Sequence, residues 1–199
     1  MPRPLLLAVA VAVLSACGSS PMDAEPFQGT EAGIDASGPG FTLVSLRNLA
    51  PDSAAVSPLV PAGDSATTRW DLALRGTEIL LNGGSSGLGA GVGVVLDVPF
   101  GAVDDALVDT VSYRRDGESP CPSGPPRAVC TGPSNGLFET RTGADGSEVV
   151  VPIPGRTLLL RLGDGQGYAK VAVESFDDGV YTIRYAVNPD GSSFLSDDG

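Results

Sequence analysis

The residue types of this chain restrict the catalytic chemistry it can perform. The sequence contains no histidine among its 199 residues, so Ser-His-Asp and Cys-His mechanisms lack their general base. The acidic pairs Asp104-Asp105, Asp177-Asp178 and Asp197-Asp198 are neighbours in sequence, whereas the two catalytic carboxyl groups of a glycosidase face each other across a cleft. We expect these pairs to lie in solvated turns. The sequence therefore predicts a protein that is not an enzyme.

Cys17 is the residue with the clearest chemical context. It follows a single positive residue, Arg3, an apolar run from Leu5 to Leu14, and the small residues Ser15 and Ala16. The run is shorter than the roughly 20 residues that cross a bilayer, and the layout is that of a secretory signal. A cysteine at this point resembles the lipobox of bacterial lipoproteins, in which the cysteine is lipidated. We therefore predict a signal peptide over residues 1–16 and a membrane anchor on Cys17, with a plain signal peptide as the alternative.

The segment after Cys17 is rich in Gly, Ser, Pro, Ala and acidic residues as far as Gly40. Such a composition buries little apolar surface, so residues 17–40 are predicted to be a flexible tether. Gly18 follows the cysteine, and resemblance to enterobacterial sorting rules then favours the outer membrane. The lipid-anchored protein would face either the periplasm or the cell surface.

The two remaining cysteines, Cys121 and Cys130, lie in a proline-rich loop. In an oxidising compartment their natural state is a structural disulfide. Their spacing differs from the two-residue spacing of a redox motif.

Composition and charge set the fold class and exclude some partners. Removing the leader and the tether leaves residues 41–199 as a single domain, and the 27 glycines and 17 prolines exclude a helical bundle. The formal net charge of −12 excludes nucleic acid as a partner, because phosphate binding needs a basic surface.

Apolar and polar residues alternate along several short segments, which is typical of half-buried strands. In residues 69–75, Trp70, Leu72 and Leu74 are predicted on one face, and Asp71 lies on the other face with Arg69 and Arg75. Other predicted strands are Phe41–Leu46, Glu78–Leu81, Gly91–Val98, Glu148–Ile153, Thr157–Leu162 and the segments around residues 169–174 and 181–187. Only Val103–Val111 is predicted to be helical. Glycine-rich turns between the strands favour an all-β, antiparallel sandwich- or barrel-like domain.

Two parts of the sequence resemble HmuY-like bacterial lipoproteins. The first is the Trp-Asp strand in Thr67–Gly76, followed by the Asn-Gly turn and glycine-rich segment in Ile79–Gly87. The second comprises Thr157–Arg161, Gly165–Val171 and Tyr181–Tyr185, with the closing Asn188–Ser192. The resemblance spans about residues 41–194, and it implies an all-β fold and, in the best-known members, haem capture for an outer-membrane transporter.

In that family two histidines, or methionines in some relatives, hold the haem iron. This chain has no histidine, and its two methionines, Met1 and Met22, lie in the leader and the tether. Its four tyrosines are the remaining conventional donors. Tyr113 is the candidate ligand to the iron, with Arg114 and Arg115 as candidate partners of the haem propionates.

Two functions are compatible with these observations. The first is an envelope lipoprotein that acts as a non-catalytic binding module for haem, another porphyrin or a different small ligand in nutrient uptake. The alternative is a structural or adhesion-type envelope lipoprotein that keeps the fold without binding haem. A pocket with Tyr113 or arginines at its mouth would favour the first function, and a closed core would favour the second.

Overall fold

The computed structural model describes residues 26–51 and 57–191. They form mainly short antiparallel strands, with one α-helix, α1 (Asp105–Thr110), and 3-10 turns at Leu46–Leu49, Ala62–Asp64 and Phe100–Ala102. The strands are β1 (Phe27–Asp35), β2 (Thr42–Val44), β3 (Leu59–Val60), β4 (Leu72–Arg75), β5 (Glu78–Leu81), β6 (Val92–Leu96), β7 (Phe138–Thr142), β8 (Glu148–Pro152), β9 (Thr157–Arg161), β10 (Tyr168–Asp177) and β11 (Val180–Asn188).

Two sheets pack against each other. One has five strands in the order β1-β11-β10-β9-β6, and the other has four in the order β3-β2-β4-β5. The strands β7 and β8 form a separate hairpin. Leu72, Leu74 and Leu81 from the four-stranded sheet share one core with Leu158 and Ile183 from the five-stranded sheet. The predicted all-β, antiparallel class is confirmed, and the arrangement is a sandwich.

Strand β9 shows how the five-stranded sheet is covered on both faces. Leu158 and Leu160 point into the core between the sheets. Leu159, between them, points to the other face and packs with Val103 and Val108 from the segment that contains α1. A continuous apolar run is what a strand buried on both faces requires.

The predicted tether is wrong for residues 27–35, which form strand β1. This strand pairs with β11 from Phe27–Val187 to Asp35–Val180, and Ile34 is buried in the core. The pairing register between β1 and β11 shifts between Ala32 and Ile34, where Gly33 has a φ of +77°. The composition of this segment is poor in apolar residues, but an edge strand needs only one neighbour for its hydrogen bonds and one buried face for its stability. Ala36, which follows β1, is also buried in the core. The domain therefore begins before Phe41, and the tether stays a prediction for residues 17–25, which lie outside the described part of the chain.

The disulfide predicted between Cys121 and Cys130 is present, with a Cα–Cα distance of 5.6 Å. The loop that it closes is also held by Asp116, which is buried. The Asp116 carboxylate accepts hydrogen bonds from the Leu81 amide at 2.9 Å and the Ala128 amide at 2.8 Å. The loop is thus joined to the four-stranded sheet by a side chain as well as by its own covalent link.

The acidic pairs singled out in the sequence lie at turns and at a helix start. Asp104 caps α1 by accepting a hydrogen bond from the Leu107 amide at 3.1 Å. Asp177 and Asp178 are exposed at the turn between β10 and β11, where Asp178 has a φ of 45°. Asp197 and Asp198 lie outside the described residues.

The position of β1 gives a direct test of the domain boundary. A chain that begins at Phe41 lacks β1, exposes the edge of β11 and loses the buried Ile34 side chain, whose burial alone contributes about 1.5–3 kcal/mol. We expect its free energy of unfolding, measured by urea denaturation, to fall by at least about 2 kcal/mol. A chain that begins at Pro26 is the control and should unfold at the same urea concentration as the full chain. Equal midpoints for all three chains would show that β1 contributes nothing to the domain.

Candidate ligand-binding site

A cavity of about 560 Å³ opens beside the four-stranded sheet. Its walls come from the 3-10 turn Leu46–Leu49, from the segment 57–71 and from the turn after β9. Cavities that bind small molecules typically measure about 300–1,000 Å³, so this one has a suitable size. The lining residues are Ser45, Arg47, Asn48, Ser57, Leu59, Val60, Pro61, Asp64, Thr68, Arg69, Asp71 and Asp164.

The cavity has an apolar side and a charged side. The apolar side is the part of the wall formed by Leu59, Val60 and Pro61, which are consecutive in sequence, and Leu59 remains 45% exposed. The charged groups are two guanidinium groups and three carboxylates. A ligand with both hydrocarbon and hydrogen-bonding parts could contact both sides at once.

Asp71 is held in place by backbone groups from three parts of the chain. It lies just before β4, and its amide donates to the Val44 carbonyl at 2.8 Å. Its carboxylate accepts hydrogen bonds from the Leu46 amide at 2.7 Å and from the Gly163 amide at 2.8 Å. The residue is only 3% exposed. The alternation pattern, which placed Asp71 on the polar face with Arg69 and Arg75, was wrong about its surroundings.

The environment of Asp71 changes its acidity. Burial raises the pKa of Asp71 from 3.8 to about 6, because an ionised carboxylate loses hydration in the interior. The hydrogen bonds from Gly163 and Leu46 and the positive charge of Arg47 act in the opposite direction. The Asp71 carboxylate is therefore mostly ionised at neutral pH and mostly protonated at pH 5.

Two ion pairs occupy the other charged groups of the cavity. Arg47 Nη2 lies 2.5 Å from Asp164 Oδ2, and Arg47 Nη1 donates to the Pro189 carbonyl at 3.0 Å. Arg69 Nη1 lies 3.3 Å from Asp64 Oδ2. Asp71 is in neither pair. Among the described carboxylates of the lining, it is the one that forms no ion pair with a guanidinium group.

Asn82 stabilises the loops behind the cavity. Its Nδ2 donates to the carbonyls of Thr67 at 2.8 Å and Trp70 at 2.7 Å, and its Oδ1 accepts from the Gly89 amide at 3.0 Å. A Cβ atom at Gly87 would lie 2.1 Å from Asn82 Oδ1, so only glycine fits there. The Trp-Asp strand and the Asn-Gly turn that carry the sequence resemblance thus have a structural role in building this region.

The residues predicted as haem contacts lie outside the cavity. The Tyr113 hydroxyl donates to the Val108 carbonyl at 3.1 Å, and its ring packs 6.2 Å from that of Tyr168. Burial raises the pKa of Tyr113 above its ordinary value, which disfavours a phenolate. Arg114 forms two backbone hydrogen bonds with Gly93, and the side chains of Arg114 and Arg115 are exposed. The structure does not bring these three residues to the candidate site.

The remaining predicted site residue, Cys17, lies outside the described residues. Sequence reasoning missed Arg47, Asp71 and Asp164 as site residues. The available signal was an aspartate within a predicted strand. The alternating pattern, however, places such a residue on the solvent-exposed face of the strand. The partners that bury it are 25 and 92 residues away along the chain.

A solved structure is similar to this chain, whereas comparisons of its sequence find no match. No family model matches the sequence, and no curated protein matches it. The apo form of a HmuY analog from Tannerella forsythia is a similar solved structure, with 14% sequence identity and a TM-score of 0.46. The match covers 83% of this chain and 97% of that chain. At this identity and TM-score the likeness carries no argument about the function of the chain.

In the part of the chain that the structure describes, no helix has the length and apolar character needed to cross a membrane.

The raised pKa of Asp71 predicts a pH-dependent effect of Asp71→Asn. The folded chain binds the Asp71 proton more tightly than the unfolded chain, so the stability from this carboxyl group is complete below about pH 4 and is lost as the pH rises through about 6. A shift from 3.8 to about 6 corresponds to about 3 kcal/mol. We expect the difference in free energy of unfolding between the wild-type chain and Asp71→Asn to shrink by about that amount between pH 4 and pH 7.

Urea denaturation at a series of pH values measures this difference. Asp109→Asn, which removes an exposed carboxylate from α1, is the matched control. A difference between wild type and Asp71→Asn that stays constant with pH would contradict the raised pKa.

Proposed function

We propose that this chain is a non-catalytic binding protein of the bacterial cell envelope, anchored by a lipid on Cys17, that captures a small ligand for uptake. The cavity beside the four-stranded sheet is the observation that carries the proposal. It combines a suitable volume with an apolar side, two arginines and a buried carboxylate. An outer-membrane transporter is the partner that such a role requires.

The absence of histidine from the sequence supports a binding role over a catalytic one. Burial raises the pKa of the cavity residue Asp71, and both of its oxygens already accept backbone hydrogen bonds. Proton transfer by Asp71 in an acid–base reaction would disturb these two hydrogen bonds, whereas ligand binding can leave them in place.

Membrane anchoring rests on the leader and on Cys17. The first described strand begins at Phe27, so the domain starts ten positions after the cysteine that would carry the lipid. A short link of this length would keep the binding domain next to the membrane surface. The outer membrane is the proposed location.

Haem is the ligand that the sequence resemblance implies, and its binding stays a prediction. The described residues that line the cavity offer no imidazole, thiolate, thioether or phenolate, which are the groups that ligate haem iron. Outside the cavity, the hydroxyls of Tyr113, Tyr181 and Tyr185 donate to the backbone carbonyls of Val108, Gly76 and Leu49. These residues fit iron ligation poorly, so the ligand that we favour is a small polar molecule.

A structural or adhesion-type lipoprotein is the alternative function. A closed core would favour it, and the open, charged cavity favours binding instead.

The anchoring proposal predicts that Cys17→Ser releases the protein from membranes. In a bacterial host, the wild-type chain should partition into the detergent phase of a Triton X-114 extract, because the lipid on Cys17 carries it there. Cys17→Ser should move to the aqueous phase, and Cys121→Ser is the matched cysteine control that should remain with the detergent. Wild-type protein in the aqueous phase would exclude the lipid anchor.

The binding proposal predicts that filling the cavity removes a bound small molecule. We expect native mass spectrometry of the wild-type chain, incubated with small-molecule extract from a bacterial culture, to show one enriched adduct. Thr68→Phe should reduce the adduct at least tenfold because the ring fills the cavity, while Thr140→Phe, an equal change at an exposed position on β7, should leave it unchanged.

Ferric haem is added separately as a defined probe, and no saturable change of its Soret band is expected. Two results would contradict the cavity as the binding site: no adduct on the wild-type chain, or equal adducts on both variants. A saturable Soret change in the wild-type chain that is lost in Tyr113→Phe would show that haem is the ligand and that Tyr113 binds its iron.

A further inference from the structure

We infer that the cavity selects a small organic cation, an amine or a guanidine with a short hydrocarbon part, whose positive group binds next to Asp71. This inference rests on the proposed binding function and specifies its ligand class. It follows from the arrangement of charges in the cavity and from the hydrogen-bond acceptor sites of the Asp71 carboxylate that backbone amides do not use.

The ion pairs leave one negative charge in the cavity. Arg47 neutralises Asp164, and Arg69 neutralises Asp64. Asp71 is the third carboxylate of the lining and lies in neither pair. A cationic ligand would complete the neutralisation of the site.

Asp71 also has acceptor capacity for such a ligand. An ionised carboxylate can accept about four hydrogen bonds, and the Leu46 and Gly163 amides donate one to each oxygen of Asp71. An ammonium or guanidinium group supplies donors as well as charge, and charge-assisted hydrogen bonds are the stronger kind. Because Asp71 is only 3% exposed, the attraction is screened less than it would be at the surface.

An anionic ligand is disfavoured by the same geometry. An anion bound to Arg47 or Arg69 would share that guanidinium group with Asp164 or Asp64, and its negative charge would lie next to the carboxylate already there. The formal net charge of −12 also attracts cations toward the protein and repels anions.

The apolar side of the cavity defines the rest of the ligand. Leu59, Val60 and Pro61 offer contact to a short alkyl chain but no hydrogen-bonding side chain. A metal ion would not use this surface, and no group of three or more His, Cys, Asp or Glu residues among the described residues could hold one. The combined surfaces therefore fit an amphipathic organic cation.

Binding should compete with protonation of Asp71. The charged groups of the cavity around it are Arg47 and Asp164 on one side and Asp64 and Arg69 on the segment 57–71. Burial raises the pKa of Asp71 to about 6, so about a tenth of the carboxylate is ionised at pH 5. Affinity for a cation should fall about tenfold between pH 7.5 and pH 5.

Three probes with one carbon skeleton test the inference on the full chain: 3-methylbutylammonium, 3-methylbutanol and 3-methylbutanoate. Each is titrated into ¹⁵N-labelled protein, and the amide resonances of Leu46 and Gly163, which bind Asp71, report the result. We expect a saturable shift of both amides with the ammonium compound alone, about tenfold weaker at pH 5 than at pH 7.5.

Asp71→Asn should lose this response, and Asp109→Asn should keep it. If Asp71→Asn fails to fold, the pH series on the wild-type chain still decides. Saturable binding of the alcohol or the carboxylate at the same amides, or ammonium binding that does not change with pH, would overturn the cation inference and leave the binding function standing. No shift of these amides with any of the three probes would also overturn the cation inference. Native mass spectrometry with the culture extract then decides separately whether the cavity binds any small molecule.

Discussion

The buried carboxylate of Asp71 is the interaction on which the surrounding structure depends. It joins the 3-10 turn after β2 to the turn after β9 through two backbone amides, and so links the four-stranded sheet to the five-stranded sheet at one end. A buried charge is costly unless hydrogen bonds satisfy it. The protein meets this cost with two backbone donors and with the nearby positive charge of Arg47.

Asn82 is a second buried polar side chain whose hydrogen bonds to the backbone hold neighbouring loops together. Its amide group donates to two backbone carbonyls, one of them buried, and accepts from one backbone N–H group. The loops approach so closely that Gly87 and Gly89 have no room for a side chain. The Trp-Asp and Asn-Gly elements of the sequence therefore have a structural role in this chain, because their side chains and glycines fix the geometry of these loops.

The cavity lies beside these loops. Its charged side includes Asp71 itself and the Arg47–Asp164 pair, which bridges the same two turns. Because backbone groups fix Asp71, its unneutralised charge is held in a constant position at the cavity wall. Tyr113, which was predicted to contact haem, lies elsewhere. Its ring packs against a second hydrophobic cluster on the other face of the five-stranded sheet.

The all-β class, the position of most strands and the disulfide could be predicted from the sequence, because alternation, turn residues and cysteine spacing are local properties. Composition alone was enough to exclude histidine-based catalysis. The strand Phe27–Asp35 could not be predicted in this way, since its stability comes from pairing with β11, more than 140 residues away in sequence. The burial of Asp71, and the cavity that Arg47, Asp71 and Asp164 share, likewise became visible only in the folded chain. Alternation tells which residues share a face of a strand, but whether that face is covered depends on distant segments.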